Sequence, residues 1–302
     1  MSIDTNLDTP QQESNAQRRT VRSRFGKLRN WTSVLLLVPG IVLIIGFFGL
    51  PLGDVIIRSL SDPVWGIQNF QWLALSETNI AVAGRTFGTA FLVTVICLLL
   101  SYPYAYLMTI CSERTRRLLT IFVMMPLWTS ILVRTLAWMV LLQDSGPIND
   151  LLEYIGVGRI PLIRTTLGVA LGMTQVLMPF MVLPLYSAMA KIDTRLLPAA
   201  RSLGATPMTV FRTVYLPLSK PGIVAGSTTV FILGLGFYII PSLLGSPRES
   251  MMATLIQQQI GGFLQWGHGA AMGIALLVVT VATLTVATRL AKGASIVPGV
   301  QR

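Results

Sequence analysis

The chain has 302 residues, of which 53% are hydrophobic and 12% charged, and its mean hydropathy is +0.68. Soluble domains carry about a quarter charged residues, so these proportions exclude an ordinary water-soluble protein and point to a bilayer as the solvent. A formal net charge of +11 would suit nucleic acid, but no nucleic-acid-binding module accompanies it, and no such partner is expected.

The first 30 residues are polar and basic and have no apolar core of their own, so a disordered tail is expected at 1–30. A transmembrane domain is expected over 31–290, followed by a second tail at 291–302. Runs of roughly 20 apolar residues, the length that crosses a hydrocarbon core, lie near Ser33 to Leu52, Thr86 to Ile110, Leu118 to Leu142, Thr166 to Met189, Gly222 to Leu244 and Gly269 to Thr288. The fold class expected is therefore an all-α membrane protein with six helical spans. The first run lacks an obvious cleavage site of small residues and reads as an anchor, not a signal peptide.

Lysine and arginine set the orientation. The first tail, the 114–117 loop, the 190–221 loop and the last tail hold 17 of the 23 basic residues, whereas seven of the twelve acids fall in the other loops. Both termini and the 190–221 loop are thus expected on the cytoplasmic side. Cys97 and Cys111 sit in or at the cytoplasmic end of the second span, where thiols stay reduced, so no disulfide is expected.

Further along, Tyr102 and Tyr106 are four residues apart and share a helical face. The third run holds Trp128, Thr129, Arg134 and Trp138, and Asp144, Asp150 and Glu153 follow it. Arg134 is the one charge deep in an expected span, and such a charge must pair, face water or reach the interface. Two readings stay open: it snorkels toward Asp144 or Asp150, or it lines a translocation path. Tyr102, Tyr106, Trp128, Thr129, Arg134, Trp138 and Asp144 are the candidate path residues, although interface anchoring or packing is the simpler explanation of each aromatic taken singly. Gly168 with Gly172, Gly222 with Gly226, and Gly269 with Gly273 are small residues four apart, which allow close helix contact.

The loop between the fourth and fifth spans reads PAARSLGATPMTVFRTVYLP over residues 198–217. Pro198 can open a short helix, Gly204 ends it in a left-handed turn, and Thr206-Pro207 caps and starts a second helix. Pro217 and Pro221 are expected to stop that helix near Leu216. Two short basic helices at an angle are expected.

The same residues carry a resemblance. Pro198-Ala199-Ala200, three residues, Gly204, nine residues, Val214, one residue and Leu216-Pro217 is similar to the cytoplasmic signature of the permease subunits of type I ATP-binding-cassette (ABC) importers, with Pro198 where that family has Glu and Val214 where it has Ile. The resemblance implies the permease fold with a cytoplasmic coupling hairpin in the bacterial inner membrane. Ala199, Ala200, Gly204, Ala205, Phe211, Leu216 and Pro217 would dock on an ABC ATPase. It also implies a homologous second permease subunit and a periplasmic substrate-binding protein. A narrower resemblance, carried by Pro126 to Thr129, Arg134, Ala137-Trp138, Gly146, Tyr238 to Gly245 and Met252 to Gln258, is to the first permease subunit of spermidine/putrescine importers, with importers of opines or other amino-acid derivatives close to that branch. It implies a small organic cation as cargo.

No Gly-x-x-x-x-Gly-Lys-Ser/Thr loop cradles a phosphate, and the two cysteines and His268, read as a loop residue, lack metal-ligand spacing. No cofactor, metal or enzymatic activity is expected, and the energy would come from the partner. An ion-driven secondary transporter would be expected to carry acids within its spans, and none falls within the runs above. A non-transporting scaffold that recruits a cytoplasmic protein is the remaining rival.

Overall fold

Hydrocarbon offers no hydrogen bonds, so each backbone N–H and C=O in a bilayer must find its partner within the protein. The computed structural model, which describes residues 37–193 and 195–294, meets that demand with helices, and those residues include no strand. The basic tail at 1–30 lies outside the described residues, as do 295–302 of the second tail.

The chain divides into one unit ending at Ile57 and another beginning at Arg58. The first unit holds most of α1 (Leu37–Ser61), an apolar helix exposed along nearly its whole length, Phe47 and Phe48 included. At Ile45–Gly49 the helix widens by one residue, and the Leu50 N–H donates to the Ile45 carbonyl. Because α1 continues past the expected end at Leu52, Asp54 falls inside it. That corrects the expectation of spans without acids.

The second unit contains α2 (Gln68–Leu75), α3 (Glu77–Ile110), α4 (Glu113–Trp128), α5 (Ile131–Leu141), α6 (Pro147–Tyr154), α7 (Thr166–Met189), α8 (Leu196–Ser202), α9 (Pro207–Leu235), α10 (Ile239–Leu244), α11 (Met252–Gln257) and α12 (Trp266–Ala294). Helix α7 is the most buried of these and packs against α3 on one side and α9 on the other. Val93 and Cys97 of α3, Met173, Leu177, Met181 and Leu185 of α7, and Val230 of α9 form the centre of the core. Helix α12 lies on α9 and α2, and α10 lies on α5 and α7. Large apolar side chains such as Phe91, Leu99 and Val278 stay exposed, which water would penalise and lipid accepts.

The approach of α9 to α7 depends on two missing side chains. A Cβ at Gly222 would lie 2.6 Å from the Cβ of Ala188 and 3.0 Å from the Pro184 carbonyl oxygen, and one at Gly226 would lie 2.7 Å from the Met181 sulfur. Such separations are shorter than carbon contacts allow, so only glycine permits this backbone-to-backbone seam. Gly168 and Gly172 are also crowded, by Leu162 and by Leu244, but Gly273 faces open space and does not serve as the packing residue its spacing suggested.

Three expected element boundaries are corrected. The apolar run at 118–142 is not one straight span: α4 and α5 meet at an angle of 97°. Pro126 cannot donate to the turn before it, Thr129 and Ser130 adopt extended conformations, and the Thr129 hydroxyl donates to the Pro126 carbonyl. Nor do Pro217 and Pro221 stop the second hairpin helix, which continues as α9 to Leu235. A widened turn at Phe211–Tyr215, closed by the Leu216 N–H on the Phe211 carbonyl, takes up the distortion, and packing on α7 holds the rest. Finally, the fifth run divides, α9 ending at Leu235 and α10 starting at Ile239.

If the glycine seam positions α9, then Gly222→Val should destabilise the protein by about 1–3 kcal/mol through overpacking, read as a lower melting temperature in detergent. Gly273→Ala, facing open space, should change stability by less than about 0.5 kcal/mol. Equal melting of the two variants would refute the seam.

Candidate functional site

Two regions gather the candidate residues, and the first is the hairpin. Helix α8 begins at Leu196, two residues ahead of Pro198, which therefore sits in the first turn where a missing N–H is tolerated. The turn after it closes with the Gly204 N–H on the Arg201 carbonyl and the Ala205 N–H on the Ala200 carbonyl, and Gly204 has φ +84°. An L-residue pays to enter that left-handed region, so glycine is what lets the chain reverse here. Thr206 then caps α9, its hydroxyl oxygen accepting from the Thr209 N–H at 3.3 Å, with Pro207 at the first helical position.

This geometry leaves an apolar tip in the open. Leu203 is 89% exposed and Met208 59%, with exposed Arg201 and Arg212 close to them in sequence, and Lys191, Arg195 and Lys220 exposed elsewhere in the loop and on α9. Ala199 and Pro217 are exposed, Ala200, Ala205 and Leu216 are half-buried, and Phe211 sits at the edge of exposure. An exposed apolar tip flanked in sequence by arginines is suited to a protein groove with acidic edges.

Behind the tip, α9 is fastened to α3 by aromatic rings. The Tyr102 hydroxyl hydrogen-bonds with Ser219 Oγ at 2.9 Å, and the Tyr102 ring meets Phe211 edge to face at 5.9 Å. Phe211 stacks on Tyr215 at 6.2 Å, and Tyr215, 4% exposed, meets Tyr106 edge to face at 5.1 Å. The structure thus brings Tyr102 and Tyr106 to the hairpin helix rather than to Arg134, with which the chemistry of the sequence had grouped them. Helical spacing put Tyr215 on one face with Met208 and Phe211, but its contact with Tyr106 and the role of Ser219 escaped the sequence reading. The available signal was two aromatic pairs of equal spacing, Tyr102 with Tyr106 and Phe211 with Tyr215, which can interleave across two helices.

The second region is the bend between α4 and α5. Thr129 and Arg134 line a cavity of about 440 Å³ together with Tyr104, Phe122, Gln175 and Met178, among others. Arg134 does not reach for Asp144 or Asp150. Its Nη2 donates back to the Thr129 carbonyl at 3.1 Å, and Nε and Nη1 are shielded without an acceptor. Trp138 joins this region by donating its indole N–H to Gln175 Oε1 at 2.6 Å, while Trp128 is 70% exposed at the end of α4. Gln175 is the residue that sequence reasoning missed here, although an amide inside an apolar span is itself a signal of a polar partner.

Asp144 lies apart, in the loop after α5. The acids near it are held by Arg159, whose Nε donates to Glu153 at 2.9 Å, Nη2 to Asp150 at 3.1 Å and Nη1 to the Asp144 carbonyl at 3.2 Å. The hydrogen bond to Glu153 and its charge push the already high pKa of Arg159 further up, with Asp150 adding to the effect. These carboxylates are therefore an Arg159-centred group, not an unpaired acidic cluster. His268 is likewise not a loop residue: it lies in the first turn of α12, stacked on Trp72 at 3.9 Å with its Nδ1 against Gln265 Oε1.

The comparisons with known proteins agree with this architecture. The family model of the binding-protein-dependent transport system inner membrane component matches residues 101–295. The spermidine/putrescine transport system permease protein PotB of Haemophilus influenzae is 31% identical over 86% of this chain and 92% of its own length. That of Salmonella typhimurium is 33% identical over 82% of this chain and 86% of its own. Among solved structures, a chain of the bacterial alginate ABC transporter in complex with an alginate pentasaccharide-bound periplasmic protein superposes with a TM-score of 0.72 at 19% identity, covering 89% of this chain and 96% of that one. Family match, relatives covering most of the chain and shared helical fold lead to one conclusion: the chain belongs to the inner-membrane components of binding-protein-dependent transport systems.

Proposed function

We propose that this chain is the permease subunit through which an ABC importer takes up polyamines, and that α8 and the start of α9 seat in a separate ATPase on the cytoplasmic side. The observation that carries the docking role is the hairpin itself: a glycine-dependent reversal presenting Leu203 and Met208 to the outside, with Arg201 and Arg212 exposed beside them in sequence. In this reading Ala199, Ala200, Gly204, Ala205, Phe211, Leu216 and Pro217 form or shape the docking surface. A second permease subunit and a periplasmic binding protein complete the assembly. Both termini lie in the cytoplasm, as the alternation of basic loops supports.

Transmission follows from the continuity of α9. A push on the hairpin acts on one end of a helix whose other part is set into the core at Gly222 and Gly226, and the rings of Tyr102 and Tyr106 carry the displacement into α3. Two arrangements of packed helices, biased by nucleotide on one side and by loaded binding protein on the other, are enough for alternating access. Polyamine cargo is supported by relatives named for spermidine and putrescine at 31% and 33% identity. The binding protein would make most of the choice of cargo. Thr129, Arg134 and Trp138 at the bend remain proposed path residues, with Trp128 at its exposed edge and Asp144 apart from them in the loop after α5.

Reconstituted with its ATPase, second permease and binding protein, the chain should import spermidine only while ATP is hydrolysed. Uptake that persists without ATP on an ion gradient would overturn the reading. Gly204→Asp should insert normally yet lose uptake, since left-handed strain of about 1 kcal/mol and a new carboxylate both fall at the docking turn; normal uptake would remove the docking role. Tyr102→Phe should leave ATP hydrolysis intact while spermidine moved per ATP falls roughly fivefold, the equivalent of one lost hydrogen bond of about 1 kcal/mol. An unchanged ratio would show that the Tyr102 to Ser219 link transmits nothing.

A further inference from the structure

A second cavity, of about 130 Å³, lies behind the hairpin where α3, α4, α7, α8 and α9 each contribute to its wall. Sites for whole drug-sized molecules begin at roughly 300 Å³, so this one suits a headgroup-sized moiety. Arg116 supplies its charge. The side chain is half-buried, and among the described residues no hydrogen bond or ion pair holds the guanidinium, whose nitrogens keep accessible surface. Tyr106 and Tyr186 bring hydroxyls that no protein group engages, and each can donate one hydrogen bond and accept others. Thr109 gives its hydroxyl hydrogen to the Tyr106 carbonyl and keeps its acceptor capacity. Tyr215 contributes its ring alone, since its hydroxyl is sealed from access.

No carboxylate stands in the lining, and the acids close to it in sequence are engaged, Glu113 with Arg117 and Asp193 with the Arg195 N–H. The cavity therefore offers one fixed positive charge among hydroxyls that serve either way. A protonated amine would find acceptors there but also the like charge of Arg116. An acyl chain would leave the guanidinium unpaired. A phosphodiester with a hydroxylated headgroup satisfies both kinds of group, its anionic oxygens taking the guanidinium and its hydroxyls exchanging hydrogen bonds with the tyrosines. A bilayer supplies that molecule. Leu107, Ile110 and Leu118 near the cavity are exposed apolar residues on which its chains can lie, and anionic headgroups are drawn to basic residues at the cytoplasmic surface.

We propose that this cavity seats the phosphate of an anionic phospholipid of the cytoplasmic leaflet, phosphatidylglycerol by its chemistry, with Arg116 as counter-charge and Tyr106 and Tyr186 as hydrogen-bond partners. This rests on the reading above that the hairpin faces the cytoplasm. Because Tyr106 also meets Tyr215 edge to face and Leu197 of α8 lines the same cavity, a bound headgroup braces both hairpin helices against α3.

The test titrates the full chain, purified in neutral detergent, with phosphatidylglycerol or phosphatidylcholine and reads retained lipid by native mass spectrometry. The chain should retain one phosphatidylglycerol, with phosphatidylcholine held at least several-fold more weakly. Arg116→Gln should weaken phosphatidylglycerol retention roughly tenfold and Tyr186→Phe about threefold, as the loss of a charged and of a neutral hydrogen bond predicts. Arg114→Gln removes the same charge from an exposed position two residues away and should change retention less than about twofold. Unchanged retention in both Arg116→Gln and Tyr186→Phe would overturn the proposal. Equal losses in Arg114→Gln and Arg116→Gln would reduce it to surface attraction and overturn it as well. Inorganic phosphate that binds without lipid and is lost in Arg116→Gln would make this a free-anion site, against the lipid assignment. Retention that vanishes when the ATPase binds would hand Arg116 to that partner, again against it. Labelling of Leu203→Cys from outside intact cells would overturn the leaflet assignment and the orientation in the functional reading, while lipid retention, measured without reference to sidedness, would stand by itself.

Discussion

The seam between α9 and α7 is the constraint on which the rest depends. Where Gly222 and Gly226 meet the 181–188 turns, two backbones come closer than any side chain would allow. In lipid there is little hydrophobic drive to press helices together, so dispersion contact of this kind supplies much of the adhesion. The seam also settles where α9 must begin on its far side. Because the helix does not stop at its prolines, the position of the hairpin follows from the position of the core.

Around that lever the structure places two kinds of interaction with different tasks. The rings of Tyr102, Phe211, Tyr215 and Tyr106 interleave without charge, a soft contact that tolerates sliding and keeps its area. The bend at Thr129 and Ser130 is hard by comparison, since extended backbone and a proline hold it open. On the docking reading proposed above, motion entering at the hairpin would meet this joint of rings.

Much of this was legible in the sequence where the controlling physics is local. The fourth span was expected from Thr166 to Met189 and α7 has those ends, because Thr165 caps its start and the apolar run is unbroken. The reversal at Gly204 and the cap at Thr206 were legible for the same reason: a backbone angle and a side-chain oxygen act within a few residues. What stayed hidden was set by distant partners. An apolar run reports how much chain lies in lipid, not the direction of its axis, so the corner inside 118–142 left no trace in hydropathy. Pro217 looked like a stop because its cost is local while the packing that outweighs it comes from α7. Tyr102 looked like a cargo contact because its partner Ser219 is 117 residues away. Arg134 was conspicuous by charge, yet its turn back to Thr129 could not be read without the bend.

The widened turn at Phe211–Tyr215 has a geometric corollary. Successive residues of an α-helix advance by about 100° around the axis, so inserting one extra residue into a single turn clocks everything ahead of it against everything behind. The azimuth at which Leu203 and Met208 emerge from the protein is therefore keyed to that one bulge, as the bit of a key is set by its shank. Were the surplus residue expelled, the tip would face a different quadrant while the membrane portion of α9 stayed in its groove.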